Sequence, residues 1–132
     1  MEITLGDFVK YLVLLLQNSN VVLPFKNQES WHKLFYRVKK ENHISGKPSF
    51  FKNLQFDWDG AYPKSPELYD FLCILCWTGT VETTSPRYEE YKLSKGMAEL
   101  LQKRFDALDE TIKRYLTSII GVAREEFVTS RA

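Results

Sequence analysis

The sequence has little of the composition that marks membrane proteins, secreted proteins or strongly basic nucleic-acid-binding proteins. Its 132 residues carry 18 basic and 17 acidic side chains, so the net charge is only +1. Phosphate contacts supply much of a DNA-binding protein's affinity, and the missing basic excess therefore lowers the expectation of DNA binding. The apolar runs are too short to cross a bilayer. The N-terminal residues also lack the basic region of a secretory signal, so we expect a cytoplasmic protein.

The residue types that carry catalysis or bind metal are also scarce. Cys73 and Cys76 form one CxxC pair inside an apolar segment, without a second pair to complete a zinc site. We therefore expect two buried helix thiols, which suit a reducing compartment. His43 with Asp57 and Asp59 lacks any familiar ligand spacing. No phosphate-binding glycine loop or nucleophile motif is present, so we expect no enzyme, metal or cofactor.

What the sequence does have is enough apolar and aromatic residues for one core. Hydrophobic residues make up 44% of the chain and aromatic residues 14%. This length and composition predict a single domain over 1–128, followed by a flexible tail over 129–132. Apolar periodicity predicts helices over 5–18, 28–41, 65–78 and 95–127. The last of these is either one long helix or two helices joined near 106–109.

Several residues indicate where the helices begin and end. Thr4 and Asn27 stand at N-cap positions of the first two helices. Ser65 followed by Pro66 predicts the start of the third, and Gly79 predicts its end. Trp31, Leu34, Phe35 and Val38 recur at three- and four-residue steps, which predicts the core-facing side of the second helix.

Strands are predicted in two places. The alternating apolar residues of 54–58 indicate one strand, followed by a turn at Asp59 and Gly60. Residues 80–84 and 88–93 predict a hairpin whose tip is Ser85-Pro86-Arg87. The expected fold class is mainly α with a small β-hairpin (α+β).

Two phrases of the sequence resemble known families. The pattern Leu72-x-x-Leu75-x-x-x-Gly79-x-Val81, with Tyr91-Lys92-Leu93-Ser94-x-Gly96 after it, resembles the second half of prokaryotic winged-helix regulators. The phrase Phe56-x-Trp58-x-Gly60-x-Tyr62-Pro63-x-Ser65-x-Glu67-Leu68 resembles the "GPYSxEL" segment of winged-helix-like proteins similar to Panacea-type antitoxin domains. Ala61 stands where that group tends to have proline. The resemblance implies a winged-helix-like domain, to which the periodicity of 95–127 adds a long C-terminal helix or helix pair.

A winged helix raises the expectation of DNA binding, but its third helix, which would read the DNA, is acidic here. Glu67 and Asp70 lie in its first two turns, and it contains no lysine or arginine. A basic stripe lies instead on the second helix, with further lysines in the following loop. The candidate contacts for nucleic acid or an acidic partner are Lys33, Arg37, Lys39, Lys40, Lys47 and Lys52. The alternative for this stripe is an ordinary solvated face.

The C-terminal apolar residues repeat at steps of three and four, close to a heptad seam. Two interpretations stay open, namely packing onto the domain's own core and a homodimer interface. The candidate dimer seam consists of Leu108, Ile112, Leu116, Ile119 and Phe127. We expect a non-enzymatic regulatory or interaction module that binds a protein partner or itself, in an antitoxin-like role. The alternative is a DNA-binding transcriptional regulator that uses its basic helix face.

Overall fold

The computed structural model describes residues 3–21, 23, 28–41, 44–58, 60–84 and 90–131. Within this part of the chain the regular structure is mainly helical with one small hairpin, as predicted. The helices are α1 (Leu5–Asn18), α2 (Glu29–Lys40), α3 (Pro66–Trp77), α4 (Lys95–Asp106) and α5 (Glu110–Arg131). The strands are β1 (Val81–Thr84) and β2 (Glu90–Leu93), and one 3-10 turn covers Ser49–Lys52.

Helix α1 is the centre of the core. The Thr4 hydroxyl accepts a hydrogen bond from the Asp7 backbone N–H at 3.2 Å, which confirms the predicted N-cap. Beyond this cap the helix is apolar on nearly every side, and seven of its 14 residues are buried. A helix of this kind needs neighbours all round, and α1 packs against α4, α5 and β2.

Helix α2 buries the face that its periodicity predicts. Trp31, Leu34, Phe35 and Val38 each have at most 2% of their surface exposed. The helix packs against α5, where the rings of Trp31 and Phe127 meet edge to face with centroids 4.9 Å apart. Asn27, the predicted N-cap, lies outside the described residues.

Helix α3 and the hairpin follow the local signals closely. The Ser65 hydroxyl accepts from the Leu68 N–H at 3.3 Å, and Gly79 adopts φ +76° after the helix. That left-handed conformation is one that glycine takes without steric cost. Strands β1 and β2 pair antiparallel in a register that places Val81 opposite Leu93. The predicted hairpin tip, 85–87, lies outside the described residues.

The predicted strand over 54–58 is wrong. Among the described residues the segment makes only an isolated antiparallel bridge, in which the N–H of Asp57 donates to the Lys64 carbonyl at 2.8 Å and the reverse bond is 2.9 Å. Leu54 is buried, Phe56 is half-buried and Trp58 is exposed. An extended segment that lies along the core therefore produces the alternating pattern without a partner strand.

The C-terminal region consists of two helices, which resolves the alternative that the sequence left open. Residues 107–109 separate α4 from α5, and the N–H of Leu108 donates to the Phe105 carbonyl at 3.0 Å at the C-terminal end of α4. Helix α5 continues to Arg131, so 129–131 are helical where the sequence predicted a flexible tail. Ala132 lies outside the described residues.

Candidate interaction surface

Two of the four basic side chains of α2 are paired with carboxylates. The Arg37 guanidinium contacts Glu125 at 3.0 Å and Glu126 at 3.4 Å, both on α5. These two carboxylates raise the pKa of Arg37, chiefly through the hydrogen bond to Glu125. The ammonium of Lys33 contacts Glu29 one turn earlier, at 3.2 Å. Two cations at the centre of the predicted contact surface therefore already have acidic neighbours.

The other predicted basic contacts do not complete a free cationic surface. The ammonium of Lys39 donates to the Leu54 carbonyl, and that of Lys47 donates to the Lys39 carbonyl at 2.9 Å. Both lysines thus hold backbone carbonyl groups of neighbouring segments. The ammonium of Lys40 lies 5.3 Å from the centroid of the Tyr36 ring, one turn earlier on α2. Lys52 is exposed on the 3-10 turn. The six predicted residues are therefore split between structural contacts and separate exposed positions.

The candidate dimer seam faces the interior of the chain. Leu116 and Ile119 have no exposed surface and Phe127 has only 1%. Leu108 and Ile112 are partly buried against the same core. Because these side chains pack beneath α1 and α2, the first three cannot contact a second copy without opening of the core. Leu116, Ile119 and Phe127 therefore belong to the core of this domain, whereas Leu108 and Ile112 are only partly buried.

An exposed apolar face on α3 was not among the predicted sites. Trp77 is 82% exposed, Ile74 43% and Tyr69 42%. The separation of Ile74 and Trp77 by three residues places both on one side of the helix, away from the buried Leu72 and Leu75. The sequence carried a signal for this face, since Ile74 and Trp77 lie outside the stripe that the helix buries. Large apolar side chains grouped in this way are typical of contact sites.

A groove borders the N-terminal half of this face. It encloses about 470 Å³ between the 57–64 bridge and the first turns of α3. Two tyrosines, Tyr62 and Tyr69, and two aspartates, Asp57 and Asp70, are among the residues that line it. The ammonium of Lys64 lies 4.5 Å from the centroid of the Tyr69 ring. The groove therefore combines ring faces with negative charge and already holds one cation of its own chain.

A buried histidine fixes the start of α3 against α2. The backbone N–H of Ser65 donates to Nδ1 of His32 at 3.0 Å, and Nε2 of His32 lies 3.2 Å from the Gln28 side-chain oxygen. Burial, and then the positive charge of Lys64, lowers the pKa of His32 to about 4. The ring is therefore neutral near pH 7, with its proton on Nε2 and an acceptor at Nδ1. This geometry positions the groove and the exposed α3 face.

The two cysteines are half-buried on α3 and are free thiols. The side-chain amide of Gln28 lies 3.8 Å from the Cys73 sulfur, which links Cys73 to the His32 contact. Burial, and next the proximity of Cys73, raises the pKa of the Cys76 thiol. A raised pKa keeps a thiol protonated, and a protonated thiol is a poor nucleophile.

The described residues contain no group of three or more histidine, cysteine or acidic side chains arranged to hold a metal ion. His43 and Asp59 of the metal arrangement considered from the sequence lie outside them. No helix within the described ranges combines the length and apolarity needed to cross a membrane.

The chain was compared with protein-family models, curated proteins and solved structures. No protein-family model, no curated protein and no solved structure matches the chain.

Proposed function

We propose that this chain is a non-enzymatic interaction module of winged-helix type, regulatory in role, which binds a protein partner through the exposed face of α3. The observation that carries the proposal is Trp77, which is 82% exposed on a face shared with Ile74. Tryptophan is enriched among the residues that dominate binding energy at protein interfaces. Leaving such a side chain in water is unfavourable, so covering it would favour association.

The order of elements supports the winged-helix part of the proposal. Within the described residues, α1, α2 and α3 precede a two-stranded antiparallel hairpin and α3 contacts β1, an order that supports the assignment of α3 as a recognition helix. In DNA-binding members of this architecture that helix enters the major groove. Here α3 carries Glu67 and Asp70 without a lysine or arginine. Its charge would repel phosphates, and its apolar face suits a protein.

An antitoxin-like role is one form of this proposal, in line with the resemblance of the 56–68 phrase. The alternative is a DNA-binding regulator that uses the basic face of α2. It has less support, because Arg37 is paired with Glu125 and Glu126 and Lys33 with Glu29.

The test compares two apolar residues of similar exposure. Ile74 on α3 is 43% exposed and Leu100 on α4 is 41% exposed. Tagged wild-type protein and the variants Trp77→Ser, Ile74→Ser and Leu100→Ser would be used to capture partners, which are quantified by mass spectrometry. We expect the Trp77 variant to lose partner affinity by about thirtyfold, the effect of a hot-spot residue, while Leu100→Ser retains it. A partner set unchanged by both α3 variants would contradict the proposal.

The DNA alternative is tested in parallel by titrating mixed-sequence duplex DNA at low salt. We expect no binding by the wild-type protein. Binding that disappears when Lys33 and Arg37 are both changed to glutamate would support the alternative instead, since phosphate contacts depend on those charges.

A further inference from the structure

The groove beside α3 has a chemistry different from that of the apolar face. Tyr62 comes from the segment before α3 and Tyr69 from its second turn, so two phenol rings line one space of about 470 Å³. A space of this size lies within the range of ligand sites in proteins, about 300–1,000 Å³. It is large enough for a long side chain together with the backbone that carries it.

The charges around the groove are mostly negative. Asp57 and Asp70 line it, and Glu67 is exposed on the first turn of α3. Among the described residues of the lining, Lys64 is the cation. The N-terminus of α3 adds partial positive charge here, and the Glu67 carboxylate offsets it. Asp57 and Asp70 take part in none of the ion pairs formed by the described residues. Their charge is therefore available to a ligand.

The Lys64 side chain shows that the Tyr69 ring can hold a cation over its face. Its ammonium lies 4.5 Å from the ring centroid, within the distance of about 6 Å over which a ring face attracts a cation. Lys64 is exposed, and its backbone is held separately by the bridge to Asp57. The side chain can therefore leave the ring without disturbing the backbone of the groove.

We propose that the groove formed by Asp57, Tyr62, Tyr69 and Asp70 binds an arginine or lysine side chain of the protein partner, and that Lys64 occupies the Tyr69 ring until the partner arrives. The inference rests on the proposed function, because it assigns the partner's chemistry at the same surface. Asp70 and Trp77 are seven residues apart, which corresponds to about 10 Å along the helix axis. We therefore expect the partner segment to carry a cationic side chain and, about 10 Å away, an apolar one.

The experiment uses two synthetic peptides with the folded full-length chain. One alternates arginine with leucine, and the other replaces each arginine with citrulline, which keeps the shape and loses the charge. Binding is followed by fluorescence anisotropy and by amide shifts in ¹H–¹⁵N NMR spectra. We expect the arginine peptide to bind about tenfold more tightly, with the largest shifts at Tyr62, Tyr69 and Asp70.

Three variants locate the effect. Asp70→Asn should weaken binding of the arginine peptide about fivefold, and Lys64→Gln should strengthen it about threefold by removing the internal competitor. Asp106→Asn, the same change on α4 outside the groove, should leave affinity unaltered. All three positions are exposed, so circular dichroism should show the wild-type fold.

The outcomes separate this inference from the proposed function. Equal affinity for the two peptides, or weaker binding after Lys64→Gln, overturns the cation site. If Trp77→Ser then weakens the binding of both peptides, the proposed interaction surface on α3 is supported without the cation site. If neither peptide binds, the cation site is overturned as well, and the capture experiment with Trp77→Ser decides the proposed function by itself.

Discussion

Replacing His32 with glutamine should remove most of the pH dependence of stability between about pH 8 and pH 5. His32 has no exposed surface, and its Nδ1 accepts a hydrogen bond from the Ser65 N–H at 3.0 Å. A proton added at Nδ1 would point at that N–H, so two donors would face each other at the N-cap of α3. The nearby Lys64 charge also opposes protonation.

The magnitude follows from the pKa of His32, which is about 4 in the folded chain against 6.5 for an ordinary histidine. Because the folded pKa is the lower one, the unfolded chain binds the proton more tightly, and acid favours unfolding. The contribution is complete above about pH 6.5 and declines as the pH falls toward 4. Between pH 8 and pH 5 the free energy of unfolding should fall by about 2 kcal/mol, or about 5–10 °C in Tm.

The measurement is urea unfolding followed by circular dichroism at a series of pH values between 8 and 5. This window stays above the ordinary carboxyl pKa of about 4, so histidine titration dominates it. The chain contains one other histidine, His43, and His43→Gln serves as the matched control for the removal of an imidazole. Equal slopes for wild type and His32→Gln would refute the reasoning.

Three further predictions concern stability, each measured by chemical or thermal unfolding. Phe127→Ala should cost about 3–5 kcal/mol, because the side chain is buried against Trp31, whereas Leu100→Ala on the exposed side of α4 should cost less than about 1 kcal/mol. A small effect at Phe127 would argue that α5 does not pack as described. Gly79→Ala should cost about 1–2 kcal/mol because φ is +76°, while Gly121→Ala, in open space on α5, should stabilise by about 0.5–1 kcal/mol. Arg37→Met should cost less than about 1 kcal/mol, since the Arg37 side chain is exposed and solvent screens its ion pairs, and a larger loss would mean that they hold α2 and α5 together.

The sequence alone located most of the helices and the hairpin. The Thr4 and Ser65 caps, the glycine stop at Gly79 and the three-and-four periodicity of α2 are signals contained within a few neighbouring residues. Because the hydrogen bonds that they form are local, the tertiary structure leaves them in place. The exception was the 54–58 segment, since a strand also needs a partner, and alternation within one segment does not supply one.

Burial and charge pairing depended on the tertiary structure. The seam through Leu116 and Phe127 has the same periodicity whether it packs against α1 and α2 or against a second copy, and only the folded chain shows the first arrangement. From the sequence Arg37 was interpreted as a free cation, but in the folded chain it contacts Glu125 of α5, which lies 88 residues later. No local pattern encodes such a contact, because it depends on how remote segments pack.

For the candidate site, too, some features could be predicted from the sequence and others depended on the tertiary structure. The sequence showed an acidic α3 with no cation, which already argued against its use as a DNA-reading helix. Only the tertiary structure decided that Trp77 stays exposed, that Tyr62 and Tyr69 share one groove and that His32 is buried beneath it. The physical reason is that the sequence sets the charge and shape of each helix, whereas exposure depends on which faces the neighbouring segments cover.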